Sequence, residues 1–151
     1  MNEEIRQRTK WFMEDRFGMF IHWGLYSIPA CGEWMMSQKE MTIEEYSKYF
    51  DQFDPVDYDP KKWVRLAKKA GMKYVVLTAK HHDGFCLFDS KLTDYKSTNT
   101  KAGRDLVREF VDACREEGLK VGLYFPLSTG IIRIFLNMET GSILCETIRH
   151  I

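Results

Sequence analysis

Six consecutive residues, Lys80-His81-His82-Asp83-Gly84-Phe85, set two imidazoles, a carboxylate and an ammonium side by side. A neutral imidazole both donates and accepts hydrogen bonds, and a carboxylate accepts only, so this set can read the hydroxyls of a small polar ligand. Two other readings stand beside it. His and Asp are good metal ligands, yet adjacent strand residues point to opposite faces. No His-x-His, Cys-x-x-Cys or helical i,i+4 pair completes a coordination set. The same residues also serve as loop groups that bond the backbone, and Asp83 next to Gly84 suits the bracing of a turn.

The run before the cluster, 73–79, is β-branched, aromatic and apolar over the length of a strand buried on both faces. The cluster therefore falls at that strand's carboxyl end, where parallel α/β folds bind ligands. A second run, 17–24, reads the same way and ends in His22 and Trp23; a third covers 120–125. Between them lie helices. Thr42 and Glu45 form a capping box, with Met41 and Tyr46 as its hydrophobic staple and Ile43, Tyr46, Tyr49 and Phe50 as the apolar face. Asp59-Pro60 opens a helix whose apolar positions are Trp63, Leu66, Ala67 and Ala70. The helix from about 104 to 117 buries Leu106, Val107, Phe110 and Cys114 before Gly118 closes it. An amphipathic lead over 5–13 precedes the first strand, and Trp23 and Trp63 are assigned to the core.

Strand, helix, strand, helix, strand is the order of right-handed βαβ units, hence of a parallel sheet. Strand starts lie roughly 55 and then roughly 46 residues apart. That exceeds the ~30 residues of an average barrel unit and leaves long loops at the carboxyl ends.

Composition narrows the function. The 22 basic and 22 acidic residues cancel and are interspersed, which argues against an electrostatic nucleic-acid binder and provides no basic patch for an anionic membrane. No apolar run reaches membrane-spanning length, and the first residues lack a signal peptide's apolar core, so the chain as written reads as cytoplasmic. Cys31, Cys86, Cys114 and Cys145 show no framework spacing and read as free thiols, Cys114 as a core residue.

Several stretches carry a family resemblance. The segment 16–27 (RFGMFIHWGLYS), Gly32-Glu33-Trp34, the cluster 80–85, Gly103-Arg104-Asp105-Leu106-Val107 and the segment 118–124 (GLKVGLY) occur in order at plausible spacings. Together they resemble the α-L-fucosidases of glycoside hydrolase family 29. The resemblance covers roughly residues 10–125. It implies a (β/α)8 TIM-type barrel, of which this chain holds about the first three βα units, and retaining hydrolysis of α-L-fucosides with no metal or organic cofactor. It implies that His22, Glu33, Trp34, His81, His82 and Tyr124 contact the fucose of a fucosylated glycan. The residue types fit: imidazoles discriminate sugar hydroxyls, Glu33 accepts from two of them, and Trp34 covers an apolar ring face. Members of this family are often secreted, periplasmic or lysosomal.

The family's nucleophile lies on the next strand and its acid/base further along, so no catalytic residue is expected in this chain. A binding or interaction module without catalysis is the other reading. From Pro126 to Ile151 no family motif is apparent; two apolar runs over 131–144 fit a hairpin, and the change of pattern is that of a truncation, a frameshift or a fusion boundary. A three-stranded piece of a closed barrel is expected to expose apolar surface and self-associate. Oligomeric state is not written in the sequence.

Overall fold

The computed structural model describes residues 3–127. The elements run α1 (Glu3–Asp15), β1 (Gly18–Ile21), α2 (Met35–Gln38), α3 (Ile43–Gln52), α4 (Pro60–Lys69), β2 (Tyr74–Thr78), α5 (Leu106–Glu117) and β3 (Lys120–Tyr124). The strands form one parallel sheet in the order β1-β2-β3, with Phe20, Val76 and Gly122 in register across it. This is the expected α/β arrangement, with a small parallel sheet.

Local chemistry sets the helix starts. Thr42 Oγ1 accepts the Glu45 N–H at 3.2 Å, and Glu45 Oε2 accepts the Thr42 N–H at 2.9 Å, closing the capping box of α3. Asp59 Oδ1 caps α4 through the Lys62 N–H at 2.9 Å, with Pro60 at the first helical position. Asp105 Oδ1 caps α5 through the Arg108 N–H at 2.8 Å, and Gly118 ends it at φ 71° in the left-handed region. Helices α4 and α5 pack together, and Val64, Ala67, Phe110, Ala113 and Cys114 join Val75 and Leu77 in the core.

Three expectations need correction. Strand β1 is not buried on both faces: Phe17 and Phe20 are each 50% exposed. Among the described residues it pairs only with β2, and while Met19 and Ile21 pack on the core, no helix covers the face carrying Phe20. The buried stripe of α4 is Pro60, Val64 and Ala67, with Trp63 on its flank, whereas Leu66 is 67% exposed. Leu66 sits about 100° round the helix from Ala67, on the solvent side. Ile43 is likewise exposed, lying in the first turn of α3 where the helix leaves the core.

The lead helix α1 buries no residue, although Trp11 and Phe12 meet the Tyr74 ring edge at 6.1 and 5.7 Å between centroids. That ring lies where a Gly18 side chain would stand, within 2.4 Å of an ideal Cβ, so a larger residue there would have to displace the Tyr74 ring. Cys86 and Cys114 are buried free thiols, each with its pKa pushed up to about 11 by burial, and Cys31 is an exposed free thiol. Cys145 and the expected hairpin over 131–144 lie outside the described residues.

Candidate functional site

The carboxyl ends of all three strands meet at one point. His22 follows β1, His81 and His82 follow β2, and Tyr124 ends β3 opposite Thr78. Thr78 ties these ends together. Its hydroxyl accepts the Trp23 N–H at 2.9 Å and donates to the Trp23 carbonyl at 2.7 Å, while Tyr124 O accepts the Ala79 N–H at 3.0 Å.

His81 is the hub. It is 3% exposed, and its ring centroid lies 5.6 Å from that of His22, 5.3 Å from Tyr26, 5.6 Å from Trp34, 5.1 Å from His82 and 5.7 Å from Tyr124. Trp34 stacks on His82 at 4.8 Å and keeps 45% of its surface in solvent. The Tyr124 hydroxyl stands 3.3 Å from His82 Nε2. His22 stacks on Phe20 at 4.7 Å. Glu33 joins through its charge, which acts on both His81 and Tyr26. The five ring-bearing residues singled out from the sequence therefore share one neighbourhood, and the charge of Glu33 is felt there.

Burial decides the protonation states. It pushes the His81 pKa down to about 4, helped by His82 and His22 and opposed by Glu33, so the ring is a neutral donor and acceptor at pH 7. Asp83 is buried too, and its pKa is pushed up to about 6, against the pull of its hydrogen bonds from Phe85 N–H and the Tyr46 hydroxyl and of the nearby His82. Its oxygens are already engaged. Oδ1 accepts the Phe85 N–H at 3.2 Å and Oδ2 accepts the Tyr46 O–H at 3.0 Å. Gly84 turns at φ +82° and donates its N–H to the His81 carbonyl at 3.0 Å. Asp83 thus braces the turn and anchors α3 to it. Lys80 is buried with its Nζ 4.0 Å over the Phe125 ring, and burial lowers its pKa. Trp23 stacks on Tyr58 at 4.9 Å and meets the Trp63 ring edge at 5.7 Å, both within the apolar packing.

Tyr26 is the residue that the motif reading passed over. It lies in the short 3₁₀ turn Leu25–Ser27, is buried, and packs edge-on against His81. Only its position inside the matched segment 16–27 pointed to it. Among the described residues no group of three or more His, Cys, Asp or Glu is arranged to hold a metal ion. No helix there is long and apolar enough to cross a membrane.

The α-L-fucosidase family model matches residues 1–141. The chain belongs to the α-L-fucosidase family. It is 36% identical over 141 residues to the tissue α-L-fucosidase of Rattus norvegicus, a match covering 82% of this chain and 30% of that protein. α-L-Fucosidase isoenzyme 1 from Paenibacillus thiaminolyticus superposes with a TM-score of 0.81 at 65% identity, over 82% of this chain and 30% of that one. The α-L-fucosidase of Lactobacillus casei, solved with α-L-fucose product, superposes with a TM-score of 0.75 at 40% identity, over 78% of this chain and 40% of that one. The chain spans about a third of the length of the curated fucosidases it matches.

Proposed function

We propose that this chain forms the fucose-gripping wall of a retaining α-L-fucosidase, and that its sheet is the first three units of a (β/α)8 barrel. One observation carries the reading: two histidines, a tryptophan and a tyrosine from three strand ends and one loop converge on His81, with Glu33 acting on it. Neutral imidazoles at fixed positions distinguish hydroxyl arrangements, because each ring nitrogen asks for either a donor or an acceptor. The exposed face of Trp34 covers the C–H surface of a deoxy-sugar, and Glu33 accepts from its hydroxyls.

Retaining hydrolysis needs two carboxyl groups about 5 Å apart, one a nucleophile and one an acid/base. Among the described residues, Glu33 and Asp83 are the carboxylates beside the cluster, and Asp83 is committed to Tyr46 and the Phe85 N–H. Glu33 is assigned to the sugar. The reading therefore expects binding without turnover by residues 1–151 alone. Calorimetric titration with α-L-fucose and an assay with an aryl α-L-fucoside test it together. Saturable binding and no hydrolysis are expected. Absent binding, or hydrolysis abolished by substituting a carboxylate within this chain, would overturn the reading.

A further inference from the structure

Among the described residues two buried side-chain polar atoms have no hydrogen-bond partner, the Tyr26 hydroxyl and Nδ1 of His81. Both belong to the same edge-to-face pair, with ring centroids 5.3 Å apart. Leaving either dry is costly, since a buried donor or acceptor without a partner loses the hydrogen bond it made to water. Neither can readily turn away. The Tyr26 ring lies so close to the Gly24 backbone that a Cβ there would stand 2.9 Å from its Cε1, and His81 is hemmed by five rings.

The two atoms are complementary. Burial raises the Tyr26 pKa well above the ordinary phenol value, with the Thr78 hydroxyl pulling the other way, so Tyr26 is an O–H donor at any working pH. The Thr78 hydroxyl acts on the phenol but makes no hydrogen bond to it, and its own hydrogen goes to the Trp23 carbonyl. His81 is neutral at pH 7 and so has one nitrogen bare. A single water can accept from the one and donate to the other, as buried waters do where two polar groups share a small polar site.

We infer that the Tyr26 hydroxyl and His81 Nδ1 hold one buried water between them, and that this bond keeps His81 protonated on Nε2. Tyr26 is then a positioning residue: without touching the sugar, it decides that His81 presents an N–H donor to the ligand rather than a lone pair. The tautomer of a histidine is set by what its other nitrogen bonds, and here that partner is supplied from the turn after β1. The inference rests on the fucose-binding reading only for its consequence in affinity.

The test is long-range 1H–15N correlation of the histidine rings in the full chain at pH 7, with water cross-relaxation, on the unaltered protein and on Tyr26→Phe. The unaltered chain should show His81 Nδ1 bare, Nε2 protonated, and a long-lived water beside the Tyr26 hydroxyl proton. Tyr26→Phe should move His81 toward a tautomer mixture and weaken L-fucose binding about fivefold, the weight of one net hydrogen bond. A protonated Nδ1 in the unaltered chain would overturn the inference, as would a Tyr26→Phe variant with unchanged ring shifts. The first readout needs no variant, so a Tyr26→Phe chain that fails to fold leaves the decision to it. Absent fucose binding with the ring pattern intact would sink the proposed function and still support the pairing.

Discussion

The two faces of the sheet are finished to different degrees. On one, Val75 and Leu77 are fully buried beneath α4 and α5, whose Val64, Phe110 and Cys114 are equally dry. On the other, Phe20 is half-exposed and Val76 and Gly122 are partly buried, and the histidine cluster stands at the carboxyl end of that layer. Apolar area removed from water is what stabilises a fold, so the first face holds most of the folding energy. The second contributes less to folding and carries the groups with unmet hydrogen-bonding capacity. Stability and binding should therefore respond to different residues.

The largest effect is expected at the dry face. Leu77→Ala should cost about 3 kcal/mol in urea unfolding, as a large-to-small change at a fully buried site does, while any remaining folded chain binds L-fucose unchanged. Asp83→Ala should cost about 2 kcal/mol, since it strands the Tyr46 O–H and the Phe85 N–H, and it should also weaken binding by loosening the His81–His82 turn. His22→Ala should do the reverse of Leu77→Ala: a loss of fucose affinity of tenfold or more by calorimetry, with stability within about 1 kcal/mol of the parent, because His22 is exposed and packs on an uncovered layer.

The pH dependence sharpens the contrast further. His81 has its folded pKa below the ordinary value, so its contribution to stability is complete above about 6.5 and is lost as pH falls through about 4. Asp83 has its folded pKa above the ordinary value, so its contribution is complete below about 3.8 and is lost as pH rises through about 6. Over pH 4–6.5 the two oppose each other. Asp83→Asn should remove one side of that balance and steepen the loss of stability on acidification; urea melts at half-unit intervals would show it. An unchanged slope would mean that Asp83 does not titrate in that window.

The smallest folding effect is expected at the open face. Phe20→Ser should change unfolding by no more than about 0.5 kcal/mol, yet it should reduce self-association in sedimentation velocity, because Phe20 with Trp11, Phe12 and Phe17 leaves an apolar surface exposed. A monodisperse parent would contradict that expectation.

What the sequence made legible was mostly local. Thr42 with Glu45, Asp59 with Pro60, and Gly118 mark helix ends through bonds spanning three or four residues, and each forms as read, whereas Asp105, which the reading placed inside its helix, is the cap that starts it. Asp83 as a turn brace is legible for the same reason, since the Phe85 N–H is two residues away. Its second bond, to Tyr46 across 37 residues, is not. Long-range decisions stayed hidden. Leu66 and Val64 both satisfy a helical period, and only the placement of α4 on the sheet selects Val64. An apolar strand such as β1 does not reveal whether both its faces find a cover. Tyr26 becomes part of the cluster only when β1 and β2 lie side by side. The motif reading named His22, Glu33, Trp34, His81, His82 and Tyr124 as sugar contacts, and the fold brings the rings of His22, Trp34, His82 and Tyr124 around that of His81.

The most direct test follows the imidazole resonances during titration with L-fucose and, separately, with its mirror image D-fucose. Three of the chain's four histidines, His22, His81 and His82, lie in the described cluster. The account predicts saturable shifts of His22, His81 and His82 with L-fucose and none with D-fucose. Rings that ignore L-fucose, or respond equally to both enantiomers, would contradict it.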